Sequence, residues 1–166
     1  MNFLFARALF AFLVLPGTMG FAIPLLLIEP GWRDRPFDWW AALLLAGGFA
    51  LLLWCVREFY VAGKGTLAPW SPPVHLVTSG PYRISRNPMY VAMTTILLGW
   101  AWAFHSQSLM GYAAFMVLAF HARILLGEEP RLAREFSEAW RRYRAEVPRW
   151  LGATRAKATT RPGGRN

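Results

Sequence analysis

Long uncharged runs alternate with short charged ones along this chain. The apolar runs cover 8–28, 39–56, 88–104 and 109–126. A bilayer core takes about 20 residues of helix to cross, so each run is predicted to be a transmembrane span. The last two are short, which predicts tilt or an extension beyond the bilayer. Pro16 and Pro24 interrupt the first run, as membrane helices tolerate when neighbours satisfy the freed carbonyls. Arg7 and the run after it superficially resemble a signal peptide. The run is long for that role and closes on no small-x-small site, so a retained span is predicted. Trp39 and Trp40 would mark one interface of the second span, with Arg57 and Glu58 closing the other. His105-Ser106-Gln107-Ser108 is long enough only for a tight hairpin, which makes the third and fourth spans antiparallel neighbours.

Two polar-containing segments remain. In the loop 57–87, glycines and prolines exclude a regular helix from Gly63 to Arg83, and Ser79-Gly80-Pro81 reads as a turn. Leu67, Trp70, Leu76 and Val77 predict that this loop packs. Pro130 suits the first turn of a new helix and predicts a bend at Glu129, with a kinked continuous helix as the alternative. Beyond it Leu132, Phe136, Trp140, Tyr143 and Val147 share one face. Arg131, Arg134, Glu135, Glu138, Arg141, Arg142 and Arg144 take the remainder. An amphipathic helix and end segment over 128–150 is expected, followed by a disordered basic tail over 151–166. The fold class is therefore an all-α membrane protein: about four transmembrane helices within 1–127, plus a cytoplasmic amphipathic C-terminal helix.

Composition agrees with that pattern. Of 166 residues, 55% are hydrophobic and 16% charged, and the net charge is +9. From Arg123 onward there are eleven Lys or Arg and five Glu. In a soluble chain such an excess would suggest nucleic acid. Beside apolar spans it reads as the positive-inside signal and attraction to anionic lipid, so no nucleic-acid partner is expected. The loop 29–38 holds two Arg and three acids, whereas Arg57, Lys64, Arg83 and Arg86 face Glu58 alone in the middle segment. Both termini and the middle loop are thereby placed in the cytoplasm. The single cysteine, Cys55, lies in an apolar run, which excludes an internal disulfide, and no cluster suggests a metal.

Candidate chemistry gathers at one end. Glu128 and Glu129 are adjacent acids closing an apolar span, where ionisable groups are costly; stabilisation of the next helix by its dipole accounts for them equally well. Arg83, Arg86, Asn87 and Tyr90 cluster where the third span begins, which interface anchoring alone would explain. The hairpin between the last two spans brings both clusters to the same cytoplasmic end. Opposed acids, arginines, an amide and tyrosines there suit a zwitterionic cofactor.

At these residues the sequence resembles the isoprenylcysteine carboxyl methyltransferase family. The resemblance is carried by Gly80-Pro-Tyr-Arg-Ile-Ser-Arg-Asn-Pro-Met-Tyr90, then Glu128-Glu-Pro-Arg-Leu and Phe136, then Tyr143 with Val147-Pro-Arg-Trp150. Gly65-Thr-Leu-Ala-Pro69 and Pro72-Pro73 add to it. Asn87 stands where many eukaryotic members have His; Asn-Pro-Met-Tyr is similar instead to phosphatidylethanolamine methyltransferases, which also carry an adjacent Glu pair. Ser137 replaces a frequent Gly, and Trp140 a frequent Tyr.

The resemblance implies S-adenosylmethionine as cofactor, held by Arg86, Pro88, Tyr90, Glu128, Glu129 and Tyr143. Tyr82 and Asn87 of the same motif are expected to join them, as is His121, whose place in the fourth span faces it to the cofactor cleft or, as packing histidines more often do, into the bundle. It implies Arg83 or Arg149 as the cation that orients an acceptor, and a C-terminal segment that covers the donor. The expected reaction is methylation of a lipophilic acceptor that enters from the bilayer, most simply O-methylation of an isoprenylcysteine-like carboxylate. The alternatives are N-methylation of a phospholipid amine and an NADPH-dependent membrane reductase. A transporter-like binder and a silent scaffold fit less of the pattern. Too few polar residues line the first two spans for a transporter, and no paired repeat is present.

Overall fold

The computed structural model describes residues 13–28, 38–64 and 74–152, and every regular element among them is helical. Helix α1 begins as a π-helix, Leu13–Ala22, and continues as the α-helical Ile23–Leu26. Helix α2 is Trp39–Val61, α3 is Pro88–Ala103 and α4 is Gln107–Arg123. A 3-10 turn, Gly80–Arg83, precedes α3. A π-turn, Ile124–Glu128, joins α4 to α5, Glu129–Glu146. Two helical stretches are long and apolar enough to cross a membrane: Trp39–Val61 and the continuous Gln107–Glu146. The stretches 8–12 of the first expected span, 65–73 of the middle loop and 153–166 of the expected tail lie outside the described residues.

Each boundary has a local cause. Asp38 caps α2, accepting the Trp40 amide at 2.8 Å, and also accepts the Trp102 indole N–H from the end of α3. Helix α2 runs past its expected end at 56, because Arg57 stays exposed while Glu58 finds internal partners. Ser106 starts α4 two residues earlier than expected by accepting the Leu109 amide at 3.3 Å. Helices α2 and α3 approach backbone to backbone. A Cβ on Gly48 would lie 3.1 Å from the Ala92 carbonyl oxygen, and one on Gly99 would lie 3.1 Å from the Leu45 amide nitrogen. Small residues at such crossings are how apolar helices associate without a hydrophobic drive between them. Leu52, Ile96, Leu97, Ala113 and Ile124 fill the core between α2, α3 and the α4 region.

The chain takes the alternative course, a continuous helix with a kink, and no bend forms at Glu129. Pro130 lacks the N–H for an α-helical bond and its ring crowds the carbonyl four residues back. The π-turn absorbs this by inserting one extra residue, with the Glu129 amide bonding Ile124 five residues earlier. The break comes later, at Ser137, whose backbone sits at φ 34° and ψ −100° inside α5. A β-carbon is strained there, at a cost of about 1–3 kcal/mol. Ser137→Gly relieves that strain and gives back part of the gain to the unfolded chain. A net stabilisation of about 1 kcal/mol is expected, read as a higher melting temperature in detergent.

Helix α1 is held by a related device. Pro24 has no N–H to return to the carbonyls four or five residues earlier, those of Gly20 and Met19. Both find side-chain donors instead: the Trp100 indole N–H bonds Gly20 O at 2.9 Å and the Tyr112 hydroxyl bonds Met19 O at 3.0 Å. Phe21 adds an edge-on contact to the Trp100 ring. Trp100→Phe keeps the packing and removes one donor, so it should cost about 1 kcal/mol, measurable as a fall in melting temperature.

Candidate functional site

The site is built at the N-terminal end of α3. Asn87 occupies the position before Pro88, where its side chain would ordinarily cap the helix, but it makes no capping bond. Its Nδ2 donates instead to the Arg149 carbonyl at 2.9 Å. Ser85, buried and short, serves both sides of this turn: its hydroxyl donates to the same Arg149 carbonyl at 3.2 Å and accepts the Asn87 amide at 3.0 Å. The Arg86 amide donates to the Pro148 carbonyl at 2.9 Å. One turn earlier in the chain, the Tyr82 carbonyl accepts the buried Tyr143 hydroxyl at 2.7 Å. Four hydrogen bonds thus fasten the C-terminal segment onto the segment that opens α3. Trp140, Tyr143 and Val147 bury the apolar side of that seam.

The two adjacent glutamates have different surroundings. Glu129 accepts Arg86 Nη1 at 2.9 Å and Arg149 in bidentate fashion, Nε at 2.8 Å and Nη2 at 2.9 Å. The Arg86 and Glu129 side chains are 8% and 11% exposed, so this is a buried pair, and the Arg86 guanidinium also lies 5.4 Å from the Trp140 ring centre. Burial opposes ionisation of Glu129, but the Arg149 hydrogen bond and the Arg86 charge outweigh it and hold the carboxyl below the usual carboxylate range. Burial, reinforced by the like charges of Arg149 and Arg144, lowers the Arg86 pKa against the pull of Glu129. The bond to Glu129 raises that of Arg149.

Glu128 turns the other way. It accepts the Tyr90 hydroxyl and Arg123 Nε, the latter at 3.1 Å, while the same Nε lies 3.1 Å from the Tyr90 oxygen. This trio closes the polar end of a cavity of about 230 Å³ between α1, α3 and α4. Met19, Met89, Met93 and Met116 make up most of the apolar wall, with Phe120 beneath the Tyr90 ring at 4.7 Å. Methionines make such a wall adaptable in shape.

Of the residues singled out in the sequence, Arg86, Asn87, Pro88, Tyr90, Glu128, Glu129, Tyr143 and Arg149 come together at this end of the helices. His121 lies on the adjoining face of α4 and stacks on Trp150, ring centres 6.0 Å apart. Tyr82 is buried under Phe59, so what it offers the seam is its carbonyl and not its ring. Arg83 is exposed on the 3-10 turn, and no hydrogen bond or ion pair among the described residues joins its side chain to the constellation. No group of residues able to hold a metal occurs among the described residues.

The sequence reading missed Ser85 and Arg123. Ser85 precedes an Arg-Asn-Pro turn, a setting in which a short hydroxyl side chain bonds nearby backbone. Arg123, at the cytoplasmic end of the fourth expected span, has the place of a charge that snorkels to the interface. It lies five residues before Glu128, a spacing that an α-helix does not bring onto one face. The π-turn adds the residue that does.

In comparison with known proteins, the family model described as phospholipid methyltransferase matches residues 37–139. That range takes in α2, α3, α4 and the glutamate pair, and stops before Tyr143 and Arg149. No curated protein and no solved structure gives a match.

Proposed function

The chain belongs to the phospholipid methyltransferase family, and from that premise we propose that it is a membrane-embedded, S-adenosylmethionine-dependent methyltransferase acting on a lipophilic acceptor. In this reading α1 to α4 are four spans, with both termini, the loop 57–87 and the site on the cytoplasmic side. Residues 1–127 form the membrane domain, and 128–150 lie over the donor. The observation that carries the reading is Glu128, a carboxylate held by Tyr90 and Arg123 at the mouth of an otherwise apolar cavity.

The residues present fit the donor's chemistry. Its amino-acid end is a zwitterion, which needs an anion and a cation side by side, and Glu128 with Arg123 supply both. Asn87, bonded to the Arg149 carbonyl, and the stacked His121 and Trp150 rings lie outside that cavity's lining, and in this reading they would meet the donor's polar and planar parts. When bound, the donor supplies an activated methyl group on a sulfonium, so the protein contributes binding, alignment and exclusion of water. Glu128 and Arg123 orient the amino-acid end. The Glu129 clamp on Arg86 and Arg149 holds the covering segment 147–150 in place. The methionine wall keeps water from the acceptor's reacting end.

For the acceptor, O-methylation of a carboxylate needs no base and needs a cation to orient it, a role open to Arg149, whose side chain is 29% exposed. N-methylation of a phospholipid amine is the second reading. It is favoured by Glu128 facing the cavity, since an ammonium must lose a proton before it attacks. A membrane reductase would bind NADPH instead. Calorimetry of the purified protein in detergent separates these cofactors: heat on adding S-adenosylmethionine and none on adding NADPH is expected, and the reverse pattern would overturn the proposal.

A further inference from the structure

Glu58 stands where helix physics disfavours it. It lies in the last turn of α2, where the negative end of the helix dipole repels a carboxylate. It is also only 7% exposed, at the end of an apolar span where charge is costly. A residue so placed is held by what it binds. Trp54 Nε1 donates to Glu58 Oε1 at 3.3 Å, Arg57 Nη1 at 3.0 Å, and the Ser79 hydroxyl donates to Oε2. Ser79 occupies the N-cap position of the 3-10 turn Gly80–Arg83 but makes no capping bond, because its hydroxyl is committed to Glu58. Gly80 then passes directly over the pair at φ +55°: a Cβ there would lie 2.9 Å from Trp54 Nε1 and 3.0 Å from Glu58 Cδ. The Glu58 carbonyl also accepts the Ala62 and Gly63 amides at 2.9 and 3.2 Å, and Gly63 O accepts Val74 N at 2.9 Å, so the same residue organises where the chain leaves α2.

From this anchor the chain runs through Tyr82, whose carbonyl meets Tyr143, to Ser85, Arg86 and Asn87, which meet the C-terminal segment. We propose that Glu58 is a positioning residue for the methyl-transfer site: by holding Ser79 and the Gly80 turn it fixes one end of the segment 79–87, and thereby sets where Arg86 and Asn87 meet Glu129 and Arg149. The kinetic part of this inference rests on the methyltransferase reading; the structural part does not.

The test uses the full chain in detergent, with Glu58→Ala, Ser79→Ala, their combination, and Ser79→Thr. Hydrogen exchange is followed in peptides covering 79–87, beside KM for S-adenosylmethionine and kcat. Ser79→Ala should speed exchange in 79–87 about tenfold. It should raise the donor KM about tenfold with kcat held to within about twofold, as expected when a binding segment loosens and the reacting groups are untouched. The combined variant should be no worse than Glu58→Ala alone, because both remove one interaction. Ser79→Thr, which keeps the hydroxyl, should restore exchange and KM. Unchanged exchange in 79–87, additive single effects, or a loss in kcat without a change in KM would each overturn the proposal. If the unaltered chain neither binds the donor nor transfers methyl, the methyltransferase reading fails. The exchange result then decides alone: lost protection sustains the anchoring role and retained protection overturns it.

Discussion

Glu128→Gln is expected to lower kcat/KM for methyl transfer about 100-fold, with the melting temperature unchanged. Gln has the same size and still accepts the Tyr90 hydroxyl, so the π-turn and the cavity wall lose no packing. What disappears is the negative charge facing the cavity. Arg123, paired with Glu128 at 3.1 Å, is then left as uncompensated positive charge beside the place assigned to a cationic donor. The like-charge penalty falls on the donor's ammonium, which in this reading pairs with Glu128. Initial rates with labelled donor, measured beside thermal unfolding of the same preparation, check both halves of the expectation. Tyr90→Phe removes a neutral hydroxyl, which donates to Glu128 and accepts from Arg123, and leaves the charge in place, so its effect should be smaller.

Glu129→Gln should have the opposite profile, destabilising the fold by about 3 kcal/mol because it leaves a buried charge without its partner. Arg86, with its side chain 8% exposed, cannot reach water without leaving the Trp140 ring. Arg149 loses its bidentate pairing and keeps one bond at most, to the amide oxygen, while the backbone contacts of Pro148 and Arg149 to Arg86, Ser85 and Asn87 remain. Faster hydrogen exchange is therefore expected first in 147–150. The same carboxylate makes stability depend on pH. Its folded pKa is depressed below the unfolded value of about 4.3. The contribution is therefore complete above that value and is lost as pH falls through the lower, folded pKa. Acid unfolding of Glu129→Gln should lack this component. If Glu129→Gln melts like the unaltered chain at neutral pH, the clamp is not holding the segment.

These two glutamates mark how far the sequence could be read. Their adjacency and their position at the end of an apolar run were legible. So was their meeting with Arg86-Asn87-Pro88, because the short turn through Ser106 leaves α3 and α4 no choice but to pack antiparallel. Which glutamate faces which way was not legible, because it depends on the extra residue in the π-turn Ile124–Glu128. Hydrophobic periodicity locates a helix but is blind to a one-residue change of register within it. The same blindness hid the pairing of Arg123 with Glu128. Pro130 signalled an interruption correctly in kind, yet the chain absorbed it by widening a turn and bent instead at Ser137, a residue whose type carries no warning of positive φ. Glu58 read as an interface charge because its partners, Ser79 and the Gly80 turn, come from beyond a loop whose path the sequence does not fix. The tether of α1 to Trp100 spans eighty residues and leaves no local pattern.

The most direct test is mass spectrometry of lipids and small lipophilic acids after incubation of the purified protein with deuteromethyl S-adenosylmethionine, in parallel with Glu128→Gln. A deuteromethyl mass shift on a lipophilic carboxylate or amine, lost in the variant, is the predicted result. Repeated absence of any labelled product, together with no heat of binding for the donor, would contradict the account.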